Sequence, residues 1–160
     1  MLKKIGVIAF ILLNVGCDQL TKEMVRKNVA PSEYIEVVND HLILTNVENT
    51  GAMLGFGENL SPILKIVFLQ GFPLIVLLVL LGRTLLTAHL NRWIVLAFAF
   101  VIGGGIGNLF DRIVYGSVTD FFQIRLWFFK TGIFNMADVS VTTGVIVLLT
   151  ITLRYRNISI

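Results

Sequence analysis

The sequence predicts an all-α integral membrane fold: four transmembrane helices carrying a small extracytoplasmic β-subdomain. Three observations lead there. Of 160 residues, 56% are hydrophobic and only 14% are Asp, Glu, Lys or Arg, against roughly 25% charged in an ordinary soluble domain. The mean hydropathy is +0.84, too apolar for a short water-soluble chain, which exposes much of its surface. The apolar residues also gather into four runs near the roughly 20 residues that cross a bilayer. The net charge of +3 comes without a basic stripe or interleaved aromatics, so nucleic acid is not an expected partner. One cysteine excludes an internal disulfide.

The first span, about residues 5–27, follows Met-Leu-Lys-Lys and runs through Gly16-Cys17 into Asp18-Gln19-Leu20-Thr21-Lys22. Its start looks like a lipoprotein signal peptide ending at a lipid-bearing cysteine. However, the position three before Cys17 is the polar Asn14 where leucine is usual, and the helix continues past the cysteine. Cys17 is therefore expected to be a small helix-packing residue. Residues of about 30–60 form the β and loop region, and "EYIEVVNDHLILTNV" at 33–47 reads as a hairpin around Asn39-Asp40. The second span, about 62–82, is interrupted by Gly71 and Pro73. The third, about 92–110, and the fourth, about 138–154, are short, which places their polar ends at the membrane interface. The chain, 1–160, reads as one membrane domain without repeats.

With four spans, both termini and the 83–92 loop share a side. Lys3, Lys4, Arg83, Arg92, Arg154 and Arg156 crowd onto its short segments, which marks it as cytoplasmic. All ten acidic residues fall within 18–58 or 111–138, at the other side or its edge. This asymmetry calls for an explanation other than topology.

Polar residues near a span are costly and face a bundle interior or a cavity. Asp18 and Lys22 share a helix face. Asn49 stands beside Gly51 in "ENTGAMLGFG", a loop able to approach another backbone closely. Asn108, Asp111 and Arg112 lie at i, i+3 and i+4 at the end of the third span. "VTDFF" at 118–122 follows, and Asn135 and Asp138 open the fourth span. Each has a plain structural reading. Gly103 and Gly107 have small-xxx-small packing spacing, Asp138 suits a helix cap, Asp111 can pair with Arg112, and Asp18 with Lys22 suits a structural ion pair. Their convergence on one membrane face weighs against all of them being structural at once.

The chemistry narrows by exclusion. His41 and His89 fall on opposite sides, no His-Glu-x-x-His occurs, and Ser117, Ser140 and Lys130 have no Ser-Lys spacing. No metal and no cofactor is expected. Carboxylates remain: two held close share a proton, one acting as base toward water and the other as acid. Asp111, Asp120 and Asp138 are candidates. Asp111 adjoins a guanidinium and suits an anchor for Arg112, whereas Asp120 and Asp138 lie among aromatic residues. A non-enzymatic alternative is a small transporter or assembly subunit with proton-relaying carboxylates. Such a protein would carry carboxylates at mid-membrane and on both sides.

Asp18-Gln19-Leu20-Thr21-Lys22, Asn49-Thr50-Gly51-Ala52, Gly107-Asn108-Leu109-Phe110-Asp111-Arg112, Val118-Thr119-Asp120-Phe121 and Phe134-Asn135-Met136-Ala137-Asp138 together resemble lipoprotein signal peptidase, in order and over nearly the whole chain. The resemblance implies a four-helix aspartic endopeptidase of the bacterial inner membrane, its active site at the extracytoplasmic face. Its substrates would be prolipoproteins, cut before a diacylglyceryl-modified cysteine and met within membrane lipid, with no obligate protein partner. Asp120 and Asp138 become the catalytic pair. Asn49, Gly51, Asn108, Asp111, Arg112 and Asn135 become supports for substrate or pair, and Asp18 with Lys22 a structural or substrate-facing pair. Thr119, where valine is usual, and Met53, where alanine or an aromatic is usual, depart from the pattern.

The broken lipobox and continuous first helix predict a protein that begins at or near Met1 and carries no lipid on Cys17. Intact mass spectrometry of the membrane-extracted protein checks this, and a species starting at diacylated Cys17 overturns it.

Overall fold

The computed structural model describes residues 2–87 and 89–154. Arg156, one of the basic residues counted above, lies outside them, and the side chain of Lys3 is not among those described. Four helices are long and apolar enough to cross a membrane: α1 (Leu2–Asn28), α2 (Pro62–Leu86), α3 (Arg92–Val114) and α4 (Met136–Arg154).

α1 is one unbroken helix of 27 residues. Its buried stripe, Ile11, Asp18, Lys22 and Val25, follows the three-, four- and seven-residue spacings of a helix face. Cys17 falls off that stripe and is exposed. The expected packing role is therefore corrected: at this point of the helix the inward position belongs to Asp18.

The interruption expected at Gly71 and Pro73 is a change of pitch and not a break. Ile66–Gly71 adopt a π-helical turn, after which α-helix resumes at Phe72. Proline lacks an N–H, and its ring crowds the carbonyl four residues back. A wider turn before it gives that carbonyl room and keeps the backbone helical. Continuity matters in lipid, where no water satisfies a free peptide group.

α3 is the hub. Of its membrane-length window 56% is buried, against 17% or less for the other three helices. It starts at Asn91, whose side chain accepts a 2.9 Å bond from Trp93 N, a standard N-cap. The helix then runs past Asp111 and Arg112 to Val114, so at 23 residues it is not the short span expected. Its glycines let three neighbours approach. A Cβ on Gly103 would lie 2.6 Å from Asn14 Cβ of α1, and one on Gly105 would lie 2.5 Å from Leu77 Cδ2 of α2. One on Gly104 would meet the Ala137 carbonyl of α4, and one on Gly107 the Asp18 carboxylate. Gly103 and Gly107 thus both face α1, as their spacing suggests. Ile94, Phe98 and Ile102 of α3 fill the apolar core with Ile11 and Ile151.

Beyond the bundle lies one antiparallel four-stranded sheet in the order β1-β2-β3-β4. The expected hairpin is β1 (Ile35–Val38) and β2 (Leu42–Asn49), turning at Asn39 with φ 42°. The sequence reading did not anticipate its partners, β3 (Val118–Leu126) and β4 (Phe129–Lys130), which come from the α3–α4 connection. β3 is rich in β-branched and aromatic residues, but its first four are all buried. It has no clean period-two alternation to announce it. Phe121 roots the sheet on Val25 of α1 and on Val29 just past its end.

Gly104→Ala places a methyl against backbone and forces α3 from α4, costing about 1–3 kcal/mol. Gly82 has nothing within 4 Å of its would-be Cβ, so Gly82→Ala leaves stability level or slightly higher. Thermal melts in detergent check the contrast, and equal shifts for the two would refute it.

Candidate active site

The polar residues that converge do so where α1, α3 and α4 meet the sheet. Asp18 and Lys22 lie one turn apart on α1, and Lys22 Nζ sits 2.8 Å from Asp18 Oδ2 with none of its side chain exposed. The ammonium also lies 3.1 Å from Asp111 Oδ2 and donates to Asn108 Oδ1 at 2.9 Å. Three acceptors meet three protons, as a buried ammonium requires. Asp18 uses its other oxygen to accept from Ala137 N at 2.9 Å. It thereby satisfies an orphan donor in the first turn of α4. Gly107 has to be bare because this carboxylate passes against it.

Asp111 does not anchor Arg112, contrary to expectation. It pairs with Lys22 and, at 3.0 Å, with Arg26 Nη2, and accepts from Gln19 Nε2 at 3.0 Å. Neighbouring residues on a helix point about 100° apart, so Asp111 faces α1 while Arg112 faces the loop after β2. There Arg112 Nη2 donates to Gly51 O at 2.9 Å, and Nη1 donates to Asn108 O at 3.2 Å. Gln19 and Arg26 were missed, although Arg26 follows Lys22 by four and so shares its face. Thr119 is buried against this cluster: its hydroxyl accepts from Arg26 Nε at 2.7 Å and donates to Glu48 Oε1 at 2.8 Å. A valine there could do neither.

Asp120 is set by sheet register. Val118 pairs with Asn49 and Asp120 with Val47, which makes Asn49 and Asp120 diagonal neighbours on one face. Asn49 Nδ2 donates to Asp120 Oδ2 at 3.0 Å, while Asn49 Oδ1 accepts from Gly51 N at 2.9 Å and closes the loop. A Cβ on Gly51 would lie 2.7 Å from Gly55 O, so only glycine fits.

Asp138 is set by a helix start. Asn135 N donates to Asp138 Oδ2 at 3.1 Å and Asp138 N donates to Asn135 Oδ1 at 3.0 Å, a reciprocal capping box. The cap itself is Asn135 and not Asp138, which is its partner three residues on; this leaves Asp138 Oδ1 free to accept from Asn108 Nδ2 at 2.8 Å. Asn135 Nδ2 reaches Asp120 Oδ1 at 2.6 Å and Asn108 Oδ1 at 3.1 Å. Two asparagine amides, Asn135 and Asn108, therefore link the two carboxylates. Asn49 braces Asp120 from the loop side, and among the described residues no cation lies in ion-pair contact with either.

Asp120 and Asp138 both line a cleft of about 700 Å³. α2 and α4 each pack on α3 and leave the cleft between them, with Phe68, Leu69 and Pro73 on one wall and Val139 on the other. Burial pushes the Asp120 carboxyl up to about 6. The Asp138 charge pushes the same way, and the bonds from Asn49 and Asn135 and the Lys22 charge oppose it. Among the described residues no three His, Cys, Asp or Glu side chains come together to hold a metal ion.

The family model described as signal peptidase (SPase) II matches residues 10–154. The chain belongs to the signal peptidase II family. It is similar to the lipoprotein signal peptidase of Moorella thermoacetica, 34% identical over 137 residues, covering 86% of this chain and 85% of that one. Another relative is the lipoprotein signal peptidase of Gloeobacter violaceus, 36% identical over 146 residues, covering 91% of this chain and 80% of that one. A bacterial membrane enzyme solved at 2.3 Å resolution by the in meso method superposes with a TM-score of 0.80 at 29% identity, covering 97% of this chain and 94% of that one. This family member is a peptidase and a multi-pass membrane protein. The transporter alternative has no support in these likenesses.

The causes of the Asp120 shift give a test with a sign. Asp138→Asn removes a negative charge and lowers the Asp120 pKa from about 6. Asn49→Ala removes a donor to the carboxylate and raises it. Carboxyl carbon NMR of labelled aspartate follows both, and shifts in the same direction would contradict the arrangement.

Proposed function

We propose that this signal peptidase II family member is an aspartic endopeptidase, with Asp120 and Asp138 as its reacting pair. The observation that carries the reading is the arrival of two carboxylates, one from a strand and one from a helix start, in one largely apolar cleft, with no cation among the described residues paired to either. Such a pair holds one proton. With the proton on Asp120, Asp138 takes a proton from water as its oxygen attacks the scissile carbonyl carbon. Asp120 meanwhile gives its proton to the carbonyl oxygen. Collapse of the gem-diol returns a proton to Asp120, and Asp138 passes its own to the leaving nitrogen. The C–N bond breaks, leaving a carboxyl on one product and an amine on the other.

The substrate we infer is a prolipoprotein, cut on the N-terminal side of a diacylglyceryl-modified cysteine. The cleft favours it: apolar walls on α2 and α4 suit acyl chains arriving sideways from lipid. Arg112 fixes the Gly51 loop at the rim, beside which an extended peptide can lie. We place the sheet and cleft on the extracytoplasmic face, because Lys4, Arg83, Arg92 and Arg154 lie at the other end of the helices on short segments.

The purified protein, incubated with a diacylated prolipoprotein, should release the signal peptide, with and without EDTA or serine-directed reagents. Asp120→Asn and Asp138→Asn should each lower turnover by on the order of 10²–10⁴-fold or more while still binding substrate. The double variant should be no worse than either single, since members of one unit are non-additive. Asp111→Asn should instead cost about 3 kcal/mol of stability by leaving Lys22 and Arg26 short of a counter-charge. If Asp120→Asn kept near-normal turnover while folded Asp111→Asn lost all of it, the pair would be reassigned to Asp111 and Asp138.

A further inference from the structure

Most exposed apolar side chains lie on the four spans, where lipid covers them. Off the spans, Tyr34, Val37 and Val38 at β1 and Met53 and Phe56 in the loop after β2 are exposed singly or in pairs, and one larger group is the most exposed of all. At the tip of the sheet the β3–β4 hairpin turns at Trp127-Phe128, whose side chains are 102% and 97% exposed. Leu126 and Phe129 pair directly beneath, both exposed. Trp127 holds φ 38°, a left-handed conformation that bulky residues rarely take and that hairpin turns usually assign to Asn or Gly. Among the described residues neither ring at the turn stacks on another aromatic or a cation. The backbone is thus held in a disfavoured conformation to place two large rings in the open.

One step below the tip, Arg125 and Lys130 stand opposite one another, and Arg125 lies 4.9 Å over the ring of Tyr34. This ordering, apolar rings first and then a belt of cations with a tyrosine, matches the depth profile of a membrane interface. Aromatic rings sit there at headgroup level and basic side chains meet anionic phosphates. The hairpin is also held near a bilayer, because β3 leaves α3 just after Val114 and the chain from Lys130 enters α4 at Met136. A four-residue convex tip is far smaller than the roughly 800 Å² per partner of a stable protein interface.

We propose that the Leu126–Phe129 tip inserts into the lipid–water interface of the leaflet on the sheet side, with Arg125 and Lys130 against anionic phospholipid headgroups. Anchored there, the free end of β3 cannot swing, and the β2–β3 register that places Asn49 beside Asp120 is held from both ends.

The chain has two tryptophans, so Trp93→Phe leaves Trp127 as the sole fluorophore. The full chain is reconstituted into vesicles of phosphatidylcholine and phosphatidylglycerol, with and without lipid brominated near the headgroup end of its acyl chains. The expected result is blue-shifted emission, quenched about twofold or more by the brominated lipid, as for an interfacial indole. Unquenched emission at the wavelength of a water-exposed indole overturns the proposal. Quenching that appears only after a prolipoprotein or another protein is added overturns it too, and assigns the tip to a protein partner. As a second measurement, Phe128→Cys in a Cys17→Ser background carries a nitroxide. Greater collision with oxygen than with a water-soluble nickel chelate supports insertion, and the reverse rejects it. Neither readout needs turnover, so the proposal stands or falls independently of the peptidase chemistry.

Discussion

A lysine ammonium with no solvent exposure, four residues along a helix from its first counter-ion, organises this protein. Lys22 cannot remain charged inside an apolar bundle unless each of its protons finds an acceptor. The three it finds belong to Asp18, Asp111 and Asn108. Asp18 carries the constraint to α4 through the Ala137 amide, and Asp111 carries it to Arg26. Asn108 carries it to Asp138. Removing any member leaves a buried polar group unpaired, so α1, α3 and α4 are held in one relative register by charge as well as by packing.

The same arrangement keeps positive charge at one remove from the two acids. Lys22 holds the carbonyl side of the Asn108 amide, and only the neutral amino side reaches Asp138. Asn135 and Asn49 likewise present only their neutral amino groups to Asp120, their oxygens accepting from backbone N–H groups. Amides position carboxylates firmly without fully compensating their charge, whereas a direct lysine or arginine contact would favour ionisation of both. With burial then free to dominate at Asp120, one shared proton is the favoured state of the pair.

Location makes this tolerable in a membrane protein. Charge at mid-bilayer is costly, and less so near an interface. Every member of the network lies at the sheet end of its helix, where β2 and β3 cover it. The sheet is thus a roof for the polar cluster as well as the source of Asp120.

Much was legible in the sequence, because lipid and helices impose strong, local rules. Four apolar runs of spanning length mean four helices, whatever their neighbours. Lys22 following Asp18 by four residues means a shared face, and Asn135 with Asp138 at the head of an apolar run means a cap. What escaped was set by contacts distant in sequence. Helical spacing put Asn108, Asp111 and Arg112 near one another, but only packing against α1 and the Gly51 loop decided that Asp111 turns to Lys22 and Arg112 turns away. Cys17 is small and sits beside Asp18, yet a rotation of one residue leaves it outside. The strand at Val118–Leu126 was hidden because it is buried on both faces where it starts, which erases the alternation that marks a strand. Local stretches encode the helices, the membrane and the supply of carboxylates and amides. Which of them meet depends on the β2–β3 register and the approach of α4 to Gly104, contacts between surfaces far apart in the chain.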